Sequence, residues 1–142
     1  MKANELRIGN LVVFSDDQTL FTVGEIQETG LVVQNQDETT WIELVEFEPI
    51  PITEEWLKRM GFDLRFDFDK DYGIYYKKLR EDTEDMLTMR PYYMGGFLWG
   101  HSENPEEFPI EMGSPIGIEF VHQLQNLFFA LTGEELTTNS HA

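Results

Sequence analysis

Asp67, Asp69 and Asp71 are spaced as D-x-D-x-D, the way a calcium loop begins. Such a loop brings alternate carboxylates onto a hard cation. It also needs glycine at its sixth position and a bidentate glutamate at its twelfth. Tyr72 and Lys78 stand there instead, and the flanks alternate like strands. The pattern therefore reads as a hairpin turn with solvated carboxylates. Glu119 and His122 form Glu-x-x-His, which on a helix points both side chains the same way. Di-iron carboxylate bundles use two copies of this motif plus two further glutamates on other helices. This chain has one copy, and its other histidines are His101, read as a loop residue, and His141 in the tail. No metal ion and no other cofactor is expected.

Nucleophilic chemistry has as little support. Ser15, Ser102, Ser114 and Ser140 lie outside any G-x-S-x-G elbow, and no phosphate-binding glycine loop occurs. Carboxylates are so numerous that spacing along the chain singles out no acid/base pair. The expectation is a protein that is not an enzyme. Tyr75, Tyr76, Lys77, Lys78 and Arg80 interleave rings and bases in the manner of a single-strand nucleic-acid platform. The aspartates 67, 69 and 71 fall on the partner strand of the same hairpin, so cross-strand ion pairing accounts for the bases more simply. No direct nucleic-acid binding is expected.

The most unusual residues lie on the last helix, read from about Ile118 to Leu131. At 100° per residue, Phe120, Val121, Leu124, Leu127, Phe128 and Leu131 fill one arc, a core face. Ile118, Glu119, His122, Gln125, Asn126 and Phe129 fill the opposite arc. A solvated face would carry lysine and glutamate. This one carries amides, a histidine and large apolar groups. Two covers are open: the chain's own irregular 91–117 segment, whose main-chain groups need partners, or another protein. The intramolecular cover is the favoured expectation.

The elements that position these residues follow from patterning. Residues 6–50 contain short β-rich runs, "LRIGNLVVF", "TLFTVGEIQ", "GLVVQN" and "WIELVEFEPI", separated by turns such as "SDDQ", Glu28-Thr29-Gly30 and "QDETT". They predict a small SH3-like β-barrel or antiparallel sheet. Thr53 then caps a short helix with Glu54 and Glu55 in its first turn, Lys58 and Arg59 in its last, and Gly61 just beyond. Trp56, Leu57 and Met60 should dock it. "FDLRFDF" alternates with period two and predicts Phe62, Leu64, Phe66 and Phe68 on one face. "DKDYG" connects it to "IYYKKLR", and "MLTMRPYY" and "GGFLW" supply further strands. The fold class is α+β. The domain reading is one α+β domain over 1–136, with a barrel-like part at 1–50, a helix, hairpin and C-terminal helix at 51–136, and a flexible tail at 137–142.

Composition bounds the functions. The net charge is −17, and residues 91–142 hold seven acids and no lysine or arginine. Residues 1–50 hold ten acids and two bases. Phosphate backbones repel such a surface. With no cysteine, disulfides, thiolate metal sites and cysteine nucleophiles are excluded. No signal-peptide core and no run of membrane-span length appears, so a cytoplasmic location without membrane contact is expected.

Three blocks, "ELRIGNLV" (5–12), "PIPITEEWLKRMGF" (49–62) and "VHQLQNLFFALTGEEL" (121–136), resemble an uncharacterised family of small proteins from gut-type bacteria, their prophages and mobile elements. Phe128 departs from the family's usual tyrosine. The resemblance implies a phage or mobile-element setting and brings no activity, cofactor or catalytic residue. The functional expectation is a non-enzymatic interaction or accessory protein with a protein partner. The alternative is an acidic mimic of nucleic acid that inhibits a DNA- or RNA-binding protein.

Overall fold

A computed structural model describes residues 5–66, 73–81, 85–91, 95–102 and 117–136. The chain divides into two compact units, Met1–Pro51 with Phe120–Asn126, and Ile52–Glu119 with Leu127–Ala142. The fold is α+β.

The first unit is a curled five-stranded antiparallel sheet, a half-barrel. Its strands are β1 (Leu11–Phe14), β2 (Leu20–Ile26), β3 (Gly30–Gln34), β4 (Thr39–Glu43) and β5 (Phe47–Glu48), in the order β4-β3-β2-β1-β5. Period-two alternation turns Val12, Phe21, Val23, Leu31, Val33, Ile42 and Phe47 into one core with Leu6. Each such side chain stabilises the fold by about 1.5–3 kcal/mol when fully buried. The register slips between Val23 and Glu25, a bulge at Gly24 that increases the local twist. Where the sequence reads one strand through "WIELVEFEPI", the structure has two. The break in alternation marks a turn at Leu44–Glu46, which leaves Val45 84% exposed.

The second unit begins with α1 (Glu54–Arg59). Its N-cap is as expected: the Thr53 hydroxyl accepts from the Trp56 N–H at 3.3 Å. Its end is a Schellman turn. Gly61, at φ 88°, donates to the Lys58 carbonyl, and Phe62 donates to that of Leu57. Leu57 and Met60 are fully buried, while Trp56 is half-buried and carries the Arg59 guanidinium 4.1 Å over its ring. The sheet that follows has the order β6-β7-β8-β9, from β6 (Asp63–Phe66), β7 (Gly73–Lys78), β8 (Met86–Pro91) and β9 (Phe97–Ser102). Its core includes Ile74, Tyr75, Leu87 and Met89.

Two expectations change here. Leu64 does not share the burial of Phe62; it is 48% exposed. Phe62 belongs to the helix-ending turn rather than to the strand, and Leu64 sits on the outermost strand of this sheet. His101 lies on β9, not in a loop. The D-x-D-x-D run, the Tyr72 end of the hairpin connection, most of "EDTED", most of the 91–117 segment and the 137–142 tail lie outside the described residues.

Candidate functional site

The C-terminal helix α2 runs over Val121–Thr132. It starts three residues later than the sequence suggests, because residues 118–120 are held in extended bridges. Ile118 exchanges main-chain bonds with Phe97, Glu119 accepts from the Ile52 N–H at 2.9 Å, and Phe120 bridges Pro51. Gly96 makes the Phe97 pairing possible. A Cβ there would run into the Ile118 carbonyl oxygen, and its φ of 70° already suits glycine. Ile118 and Glu119 therefore precede the helix, and Glu-x-x-His is not a helical pair. At the other end Gly133, φ 76°, donates to the Phe129 carbonyl and stops the helix as its sequence implies.

The opposite arc is not a solvated face. Val121 and Leu124 are fully buried on one side, and His122 and Gln125 are each 2% exposed on the other. The first half of α2 is thus enclosed nearly all round. Phe129 is 38% exposed in the second half.

Gln125 and Asn126 bond within the chain, to residues 5–11. Gly9 turns the chain at φ 97° before β1, and a turn of this kind leaves main-chain groups without strand partners. The Gln125 side chain answers two of them. Its Oε1 accepts from the Leu11 N–H at 2.9 Å, and its Nε2 donates to the Gly9 carbonyl at 3.2 Å. Asn126 Oδ1 accepts from Asn10 Nδ2 at 2.8 Å and from Arg7 Nε at 3.2 Å, while its Nδ2 donates to the Glu5 carbonyl at 3.3 Å. Asn10 is itself fully buried, and its Oδ1 accepts from the Arg7 N–H at 2.7 Å. These partners lie more than 110 residues away along the chain. The favoured sequence reading placed the 91–117 segment over the stripe; the bonds of these two amides go to the N-terminal loop instead.

His122 stacks on Phe120 with ring centroids 5.9 Å apart. Its buried Nδ1 meets no hydrogen-bond partner among the described residues. Burial holds its pKa below the usual histidine range, with the charge of Glu5 pulling the other way. The ring packs on a phenylalanine, and no nucleophile or carboxylate is bonded to it among the described residues. Among the described residues, no cluster of histidine and carboxylate side chains forms a metal site.

Two other features matter. In the second unit Lys77, Lys78 and Arg80 line a cleft of about 170 Å³ with Glu134 and Glu135, so acids offset the bases there. Tyr75, from the ring-and-base strand, is buried edge-on against Phe97. In the first unit Trp41 is 44% exposed on β4, and sequence reasoning missed it. Its one signal was a tryptophan on the polar phase of an alternating strand, opposite Ile42. Among the described residues, no helix is long and apolar enough to cross a membrane. No protein-family model, no curated protein and no solved structure matches this chain.

Proposed function

We propose that this chain is a non-enzymatic, cytoplasmic interaction protein, an accessory factor in a phage or mobile-element setting. One observation carries the reading. The polar side chains best suited to chemistry are committed to holding the fold, whereas the large groups left outside are apolar and stand on an acidic surface. Gln125 and Asn126 bond main chain, and His122 is enclosed. Trp41, Val45 and Ile8 are exposed in the unit that holds most of the described acids. Exposed apolar side chains rimmed by polar ones suit recognition. The three blocks behind the family resemblance also meet in this unit: residues 5–11 bond α2, and Ile50 accepts from the Val121 N–H at 2.8 Å. Those blocks bond one another within this unit, and of the three exposed apolar residues only Ile8 belongs to them.

The test has two arms. The full chain is used to capture proteins from its native host, beside an unrelated bait of equal negative charge. It is also incubated with a host metabolite extract, followed by mass spectrometry. A partner retained by this chain alone supports the reading. Time-dependent consumption of a metabolite by the chain overturns it. Loss of the partner as NaCl rises from about 50 to 200 mM would favour a nucleic-acid mimic, because screening acts on exposed charge.

A further inference from the structure

We infer that the outer edge of β4, with Trp41 at its centre, docks an extended basic segment of a partner protein by strand addition. The inference rests on the interaction reading above and adds the site and the chemistry of the partner.

The main chain supplies the first argument. β4 is the end strand of its sheet and pairs only with β3 among the described residues. Asn35 donates to the Glu38 carbonyl, and Leu44 donates to that of Thr29. Even-numbered positions of β4 therefore carry the bonds to β3, and the odd ones turn their N–H and C=O groups to the open edge. Glu43 follows this rule, and its outward groups are already taken. Its N–H donates to Glu46 Oε1 at 3.1 Å, and its carbonyl accepts from the Glu46 N–H at 2.9 Å. Thr39 and Trp41 are left facing outward. An edge of this kind is a template for another strand.

The side chains supply the second. Residues directly opposite across a ladder share a face. Glu25, Val32 and Trp41 form one such row, from the pairings Glu25↔Val32 and Val32↔Trp41. Gly30 and Glu43 form the next. The Trp41 indole lies over Gly30, where a Cβ would come within 2.5 Å of the ring. Its Nε1 donates to Gln27 Oε1 at 3.1 Å. The ring is thus fixed from below and at its polar end; on the same face, Glu25 lies two strands inward in its row and Glu43 two positions along its strand. A held, half-exposed indole on a face that also carries carboxylates suits ammonium or guanidinium groups.

Charge selects among occupants. A second copy of this chain would bring another −17 to the same edge. A lysine- or arginine-rich strand reverses that sign, so its own charges draw it in. Its alternate residues would meet the row of Glu25 and Trp41, while its main chain bonds Thr39 and Trp41.

The probe is a synthetic twelve-residue peptide alternating lysine or arginine with valine or threonine, titrated onto the full chain. A control peptide of equal charge carries proline at alternate positions, which removes the N–H groups that strand addition needs. Binding of the first peptide is expected, with the proline peptide about tenfold weaker or worse. Trp41→Ala should lose about tenfold, as for a central aromatic anchor. Glu25→Lys, at a solvent-exposed position, should weaken binding without touching the ring, and it serves if Trp41→Ala disturbs folding. Equal binding of both peptides, or undiminished binding to both variants, reduces the contact to net charge and overturns the inference. No binding at millimolar peptide overturns it too. Concentration-dependent dimerisation abolished by Trp41→Ala would make the occupant a second copy and overturn it equally. If host capture yields a partner that Trp41→Ala and Glu25→Lys still retain, this inference falls while the interaction reading stands.

Discussion

Replacing Gln125 by alanine should destabilise the protein by about 2–3 kcal/mol. The side chain is buried and makes two bonds to main chain, at 2.9 Å to the Leu11 N–H and 3.2 Å to the Gly9 carbonyl. A net hydrogen bond is worth roughly 0.5–1.5 kcal/mol, and a buried group left without a partner costs roughly 1–3 kcal/mol. Leu11 and Gly9 are only half-buried, so water reaches part of the gap and holds the sum to the lower part of that range. The lost side-chain atoms add a small cavity term. For a chain of this size each kcal/mol lowers Tm by roughly 2–4 °C, so a fall of about 5–10 °C is expected. Urea titration is the cleaner assay. The midpoint should drop while the slope stays constant, since the surface exposed on unfolding barely changes. Gln125→Glu sharpens the test. It keeps an acceptor for Leu11, loses the donor to Gly9 and places a carboxylate at a buried position, so it should be at least as damaging. A change below about 0.5 kcal/mol in both variants would refute the assignment of this amide to the main chain of the N-terminal turn.

Three further outcomes follow from single residues. Burial lowers the pKa of His122 from about 6.5, so the unfolded chain takes up a proton first as pH falls. Its stabilising contribution is complete above about pH 6.5 and is lost as pH drops through the folded value. The stability gap between the parent and His122→Phe should therefore narrow from pH 7 to pH 5 in urea melts, with the carboxylates common to both; a constant gap would contradict the neutral buried ring. Gly30→Ala forces a methyl group against the Ile42 carbonyl and the Trp41 ring, so a loss of about 1–3 kcal/mol in chemical denaturation is expected. Gln18 holds a φ of 60° just after the Ser15–Asp17 turn, so Gln18→Gly should raise stability by about 0.5–1 kcal/mol, read as a higher melting temperature.

Much of the fold was legible because its signals are local. The Thr53 cap, the acids of the first turn and Gly61 delimit α1 within a few residues, and each acts on its own neighbours. Alternation found the strands of the half-barrel but ran β4 and β5 together, because the turn at Leu44–Glu46 that divides them carries no glycine or proline. The candidate stripe was legible only in part. His122, Gln125 and Asn126 stood out as uncharged polar residues, and they do lie together on α2. Ile118 and Glu119 were grouped with them by helical phase, but bridges to Phe97, Ile52 and Pro51 keep that stretch extended. Helical phase cannot register a competing partner elsewhere in the chain.

The sequence by itself determined the class of the molecule: α+β elements, strong acidity, no cysteine, and capped helices whose signals depend on near neighbours. Tertiary structure decided what covers the amides of α2. The choice depended on which distant main-chain groups lacked partners, and the turn at Gly9 supplied them. It also decided the standing of Trp41. Alternation placed that residue on an outer face, but only sheet order made its strand an edge, and only the absent side chain of Gly30 let the indole pack over that position. Periodicity is a property of one segment, whereas edges and unmet hydrogen bonds are properties of segments brought together.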